Sequence, residues 1–188
     1  MLMGPQAGAL VLLALTVGCQ ASPPAVDDGG AAAPPQGPYA SVAHCTPVGQ
    51  PERCPGAACG ALATGRPDQR GVELAACGTL DAAFVGGTAV ARVGTPDLAI
   101  HLGGSLSGLV RVEASEDGLR YVVAGFFPSA PSGTVPDCRA VLQPPRVLLD
   151  FDRCNSIANV RFLRLSRDPQ VGGAPTIDAI EALSFSAR

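Results

Sequence analysis

Leu109-Val-Arg-Val-Glu-Ala-Ser-Glu-Asp-Gly-Leu-Arg-Tyr-Val-Val123 decides how this chain folds. Its first residues alternate, with Val110, Val112 and Ala114 on one face and Arg111 and Glu113 on the other. A repeat of two places successive side chains on opposite sides of a strand. The Asp117-Gly118 pair then suits a hairpin, because the tight turn needs positive φ and glycine adopts it without steric cost. Leu119 to Val123 reads as the returning strand.

Outward from this hairpin the pattern repeats. Thr88 to Val93 follows Gly86-Gly87, and Leu98 to Leu102 puts Leu98, Ile100 and Leu102 on one face. Val147 to Phe151, Val160 to Leu165 and Ile177 to Leu183 bring the total to seven or eight strands, with no strongly periodic helix. Short strands separated by turn residues predict an all-β fold, a β-sandwich of jelly-roll type, over residues 72–188.

The N-terminus carries a different signal. Ala7 to Val17 is a run of eleven mostly apolar residues, too short to span a bilayer and of the length of a signal-peptide core. It ends in Gly18-Cys19. A small residue before a thiol at the membrane face resembles a bacterial lipobox, which implies that residues 1–18 are a lipoprotein signal peptide and that Cys19 is lipidated. Residues 19–44 are rich in Pro, Ala and Gly, with too few large apolar side chains to offset the entropy of ordering. They read as a disordered tether reaching roughly 30 Å as a coil and about 75 Å if extended. Gln20 after the anchor suggests onward export to the outer membrane or cell surface.

The cysteine count agrees with this placement. Of seven cysteines, Cys19 leaves six: Cys45, Cys54, Cys59, Cys77, Cys138 and Cys154. Six thiols in an exported chain allow up to three disulfides and about fifteen connectivities. Proximity favours Cys138 with Cys154, and pairs among the other four remain open. Residues 45–71 read as a cysteine-rich stapled segment without a core of its own. His44 with Cys45, Cys54 and Cys59 lacks the CxxC spacing of a zinc site, and an oxidising compartment disfavours one. All thirteen basic side chains are arginines, scattered singly, against sixteen acidic ones. No basic patch results, which argues against nucleic acid as a partner.

Four segments in order, Gly94 to Leu102, Gly108 to Gly118, Val160 to Ser166 and Gly172 to Leu183, are similar to blocks of the discoidin-like, galactose-binding-like domains of bacterial surface proteins. The resemblance covers about residues 72–188 and implies a jelly roll that binds ligands through loops at one end. It also implies a structural calcium near a carboxylate of the closing strand, for which Glu181 is the candidate. Asp178 and Glu181 have opposite strand parity, so a bulge would be needed to unite them, and a solvated carboxylate, or one paired with Arg161 or Arg164, is the simpler expectation. No other cofactor is expected.

Functional candidates are few. Phe126, Phe127 and Pro128 open a long loop and form the candidate contact surface, with at least one phenylalanine expected to be buried. Tyr121 is expected in the core more than on a sugar platform, and Tyr39 lies in the tether. His101 alternates onto the face opposite its apolar neighbours and reads as a satisfied or solvated histidine. No nucleophile elbow or phosphate loop is present among the sequence motifs, so an enzyme is not expected. A lipid-anchored, non-catalytic envelope module that recognises a glycan, peptide or envelope component is the leading expectation. A structural lipoprotein docking onto a protein of an envelope complex is the second.

Overall fold

The computed structural model describes residues 37–47, 56–104, 106–128, 140–154, 157–168 and 170–188. Within them the strands in chain order are β1 (Val42–Pro47), β2 (Val72–Glu73), β3 (Cys77–Ala83), β4 (Gly87–Val90), β5 (Leu98–Leu102), β6 (Val110–Ser115), β7 (Val122–Phe127), β8 (Val141–Gln143), β9 (Arg146–Leu149), β10 (Asn159–Val160), β11 (Phe162–Arg167), β12 (Thr176–Ala182) and β13 (Phe185–Ala187). Two short helices, α1 (Gly56–Gly60) and α2 (Phe151–Cys154), and a 3-10 turn over Ala61–Ala63 complete the set.

A front sheet runs β1-β3-β11-β6-β7 and a back sheet β2-β12-β5-β9-β8, with a small third sheet β10-β4-β13. Every named pairing is antiparallel. Leu80, Val112, Leu163 and Leu165 of the front sheet and Ile100, Val147, Leu149 and Ile180 of the back sheet belong to one buried cluster. That shared core makes the fold a β-sandwich, in which the inner faces of two sheets exclude water from each other. The alternation in β6 holds: Val110, Val112 and Ala114 are fully buried, while Arg111 is exposed.

The returning strand starts three residues later than its sequence suggests. Asp117 Oδ1 accepts the backbone N–H groups of Leu119 and Arg120, at 2.8 and 2.9 Å, and Ser115 Oγ accepts that of Gly118 at 2.9 Å. Amides held by a turn side chain are lost to the strand ladder, so residues 116–121 form a loop around Gly118 at φ +77°. A register shift between Val112 and Glu113 then sets β7 so that Phe127 faces inward with Val110 and Phe126 faces outward with Arg111.

The boundary expected at residue 44 is corrected by the N-terminal residues of the described fold. β1 pairs with β3 from Val42 opposite Ala83 to Pro47 opposite Cys77, and Ala40 and Cys45 are fully buried. The Ala40 N–H donates to Ile180 O at 2.8 Å, and the Ala182 N–H to Pro38 O at 2.6 Å, which extends the edge of β12 beside β2. Residues 38–44 are therefore part of the sandwich. Cys45 and Cys77 form a disulfide, and Cys59 is also disulfide-bonded. The segment after Cys45 shares the common core: Ala63 is fully buried, and a Cβ on Gly60 would lie 2.8 Å from His44 Cα. α1 therefore packs directly on β1. Cys19, Cys54 and Cys138, with the Cys138–Cys154 pairing, lie outside the described residues.

Candidate functional site

The outer face of the front sheet carries two rows of side chains set by register. One runs His44, Asp81, Arg164, Glu113, Val123; the other runs Thr46, Thr79, Ser166, Arg111, Phe126. In each strand the outward residues are the polar half of the alternation whose apolar half builds the core. Arg164 Nε donates to Asp81 Oδ1 at 2.7 Å, and its guanidinium stands 4.4 Å from the centre of the Tyr121 ring. The hydrogen bond to Asp81 holds the Arg164 guanidinium above its ordinary pKa. Burial, then the Asp81 charge, pushes the Tyr121 hydroxyl up as well. Tyr121 is thus neither core nor open platform, since one ring face is taken by the cation.

Beside this ion-paired row the face opens into a recess of about 370 Å³, lined by Leu109, Arg111, Val123, Phe126, Ser166, Arg167 and Asp168. Leu109, Val123 and Phe126 supply apolar surface, and the rest supply donors and charge. Arg111 Nη2 pairs with Glu113 Oε1 at 2.7 Å, and half of the Arg111 side chain stays exposed. Asp168 is held at the rim: its N–H donates to Leu109 O at 2.8 Å and its Oδ1 accepts the Gln170 N–H at 2.8 Å. The loops below depend on two glycines at positive φ, Gly108 and Gly173. A Cβ on Gly108 would lie 2.8 Å from the Gly173 carbonyl carbon, so the two backbones meet there without room for a side chain.

The back sheet holds a separate cluster. His101 Nε2 is 2.8 Å from Glu181 Oε2, and Tyr39 hydrogen-bonds the same carboxylate while its ring lies 6.4 Å from that of His101. Burial first, and Glu181 second, raises the Tyr39 pKa. Asp178 sits at a register shift between Ile177 and Ala179, the bulge that alternation alone would require. The shift does not unite the two acids. Asp178 is 4% exposed, and its oxygens accept the N–H groups of Asp68 and Gln69 at 3.2 and 3.1 Å. Neither acid meets Arg161 or Arg164, which lie over Phe162 and Tyr121. Calcium takes six to eight oxygens, whereas Glu181 is engaged by an imidazole and a phenol and Asp178 by backbone amides, so these residues do not fit it. Among the described residues no group of three or more His, Cys, Asp or Glu could hold a metal ion.

Of the three residues expected at the contact surface, Phe126 lines the recess, Phe127 is fully buried, and Pro128 lies just past the end of β7. The loop beyond, residues 129–139, lies outside the described residues. Sequence reasoning missed Arg111, Ser166, Arg167 and Asp168 as neighbours of Phe126. The outward parity of Arg111 was visible, but the adjacency of β6 and β11 was not.

The class so defined is a disulfide-containing β-sandwich with an aromatic and arginine-lined recess on one sheet face. No family model matches the chain, and no curated protein matches it. Among solved structures, the C-terminal domain of a chitobiase from Bacteroides fragilis is similar at a TM-score of 0.36 and 15% identity, over 58% of this chain and 64% of that one.

Proposed function

We propose that this chain is a non-catalytic, lipid-anchored module of the cell envelope that binds a glycan on the outer face of its front sheet. The recess carries the reading: its roughly 370 Å³ fall within the range of ligand pockets. It joins an aromatic ring, which packs on sugar C–H groups, with guanidinium and hydroxyl groups that can hydrogen-bond ring substituents. A peptide bound by strand addition would need a free strand edge. On this sheet the β1 edge packs against α1, and at the β7 edge Phe126 O accepts the Ala140 N–H at 3.1 Å. The contact surface is thus the sheet face beside the 126–128 loop and not the loop alone.

Lipidation at Cys19 would hold this face near the membrane. The test is a glycan array probed with the full chain in detergent, beside its Phe126→Ala variant. Binding that the variant loses supports the reading, and an array without signal refutes it. Labelling with a clickable fatty acid, compared with Cys19→Ala, tests the anchor, and equal label in the variant would remove it.

A further inference from the structure

We propose that the recess reads a pair of neighbouring sugar hydroxyls, with Asp168 accepting from one and Arg111 donating to the other; this rests on the glycan reading above. The register builds the pair. Arg111 stands opposite Ser166, and the Asp168 N–H donates to Leu109 O at 2.8 Å, which carries the alternation one step past the end of β11. Asp168 therefore shares the outer face with Ser166, Leu109 and Arg111, and it is the diagonal neighbour of Arg111. Diagonal neighbours on adjacent strands lie about 7–8 Å apart, within reach of a long side chain.

Yet the two do not pair with each other. Arg111 Nη2 turns to Glu113 Oε1 on its own strand, and the guanidinium keeps its remaining N–H donors on a half-exposed side chain. Asp168 gives Oδ1 to the Gln170 amide, and its second oxygen has no hydrogen bond or ion pair among the described residues. An acceptor and a set of donors thus face one recess without closing on each other. A ligand carboxylate would suit Arg111 and be repelled by Asp168, and an ammonium would suit Asp168 alone. A hydroxyl both donates and accepts, so two on adjacent ring carbons satisfy both groups at once. Ser166 adds a hydroxyl beside Arg111, and Phe126, opposite Arg111 on β7, receives the C–H face of the ring. Arg167 stands opposite Val110, on the other parity, and the pair needs nothing from it.

The test adds cellotriose, mannotriose and galactotriose to the array, each beside its O-methylated form, and titrates those that bind by calorimetry with the full chain in detergent. Methyl ethers keep the ring and its oxygen acceptors and remove the donors. At least one native trisaccharide should bind, and its methylated form should bind about tenfold more weakly, a hydrogen bond to a charged group contributing at least that much. Asp168→Asn keeps Oδ1 for the Gln170 amide and should lose about tenfold in affinity for the native sugar. Arg120→Gln, on an exposed loop, should lose nothing, and melting curves establish that both variants fold. Equal affinity for native and methylated sugars overturns the hydroxyl pair, as does full affinity in Asp168→Asn, and either leaves the glycan reading standing. Silence of all three native trisaccharides beside Phe126-dependent signal from other glycans overturns it in the same way. A wholly silent array removes both.

Discussion

Removing the Cys45–Cys77 disulfide by the double change Cys45→Ala, Cys77→Ala should destabilise the sandwich chiefly by freeing its unfolded chain. The bridge spans a sequence separation of 32, with Cα atoms 5.3 Å apart and both residues fully buried. For a loop of that length the chain-entropy relation gives about 3.7 kcal/mol at room temperature. In a domain of roughly 150 residues each kcal/mol moves Tm by about 2–4 °C, so the midpoint should fall by about 7–15 °C. Differential scanning calorimetry reads the midpoint, and urea titration reads the m-value. The m-value should rise, because the uncrosslinked unfolded chain exposes more surface. A fall in Tm with the m-value unchanged would place the loss in native packing and refute the loop-closure account. A shift below about 2 °C would mean that the bridge constrains nothing that folding must order.

Three further outcomes follow from the same contacts. Among the described residues, a chain begun at Cys45 loses five hydrogen bonds outside the β1 ladder: Ala40 N–H to Ile180 O, Ser41 N–H to Ala83 O, Gly65 N–H to Ala40 O, Ala182 N–H to Pro38 O and Val85 N–H to Ser41 Oγ. At about 1 kcal/mol each it should lose on the order of 5 kcal/mol in urea denaturation, and a fragment as stable as the full chain would return residues 38–44 to the tether. Tyr39→Phe removes the hydroxyl bonded to Glu181 and should cost about 1 kcal/mol at pH 7 by chemical denaturation. Because burial and Glu181 raise this pKa above 10.0, the hydroxyl's contribution is present below pH 10.0 and lost as pH rises through the higher folded value, so a gap that widens there contradicts the assignment. Asp117→Ala should lower Tm at pH 7. The Arg120 and Leu119 amides hold that carboxyl below 3.8, so its contribution is present above pH 3.8 and vanishes as pH falls through the lowered folded value. A Tm difference that persists undiminished into strong acid would refute the capping role.

Strands with large alternating residues were legible. Leu98–Leu102 is β5 as read, and β6 and β12 fall within a residue of their expected limits. β3 was not legible, although it lies between β1 and β11, because its inward residues are Cys77, Leu80 and Ala82 amid glycine and threonine. Small side chains give little hydrophobic periodicity, yet they suit a strand packed between two others. β1 was hidden for the same reason, its buried positions being Ala43 and Cys45 next to a Pro- and Ala-rich stretch. Tertiary pairing supplied the order that local propensity lacked. At the site, Phe126 was legible as an exposed aromatic beside a buried one, and its arginine neighbours were not.

By itself the amino-acid sequence determined an all-β chain, the face that each strong strand presents, and a cysteine set suited to an exported protein. A period of two is local and assigns a residue to a side of its sheet. It does not say which strand lies alongside. Only the tertiary structure placed β11 between β3 and β6 and thereby brought Ser166 opposite Arg111 and Arg111 opposite Phe126. Strand neighbours are chosen by backbone hydrogen bonds between residues distant in the chain, and by the burial of both inner faces at once. The recess is a product of that choice.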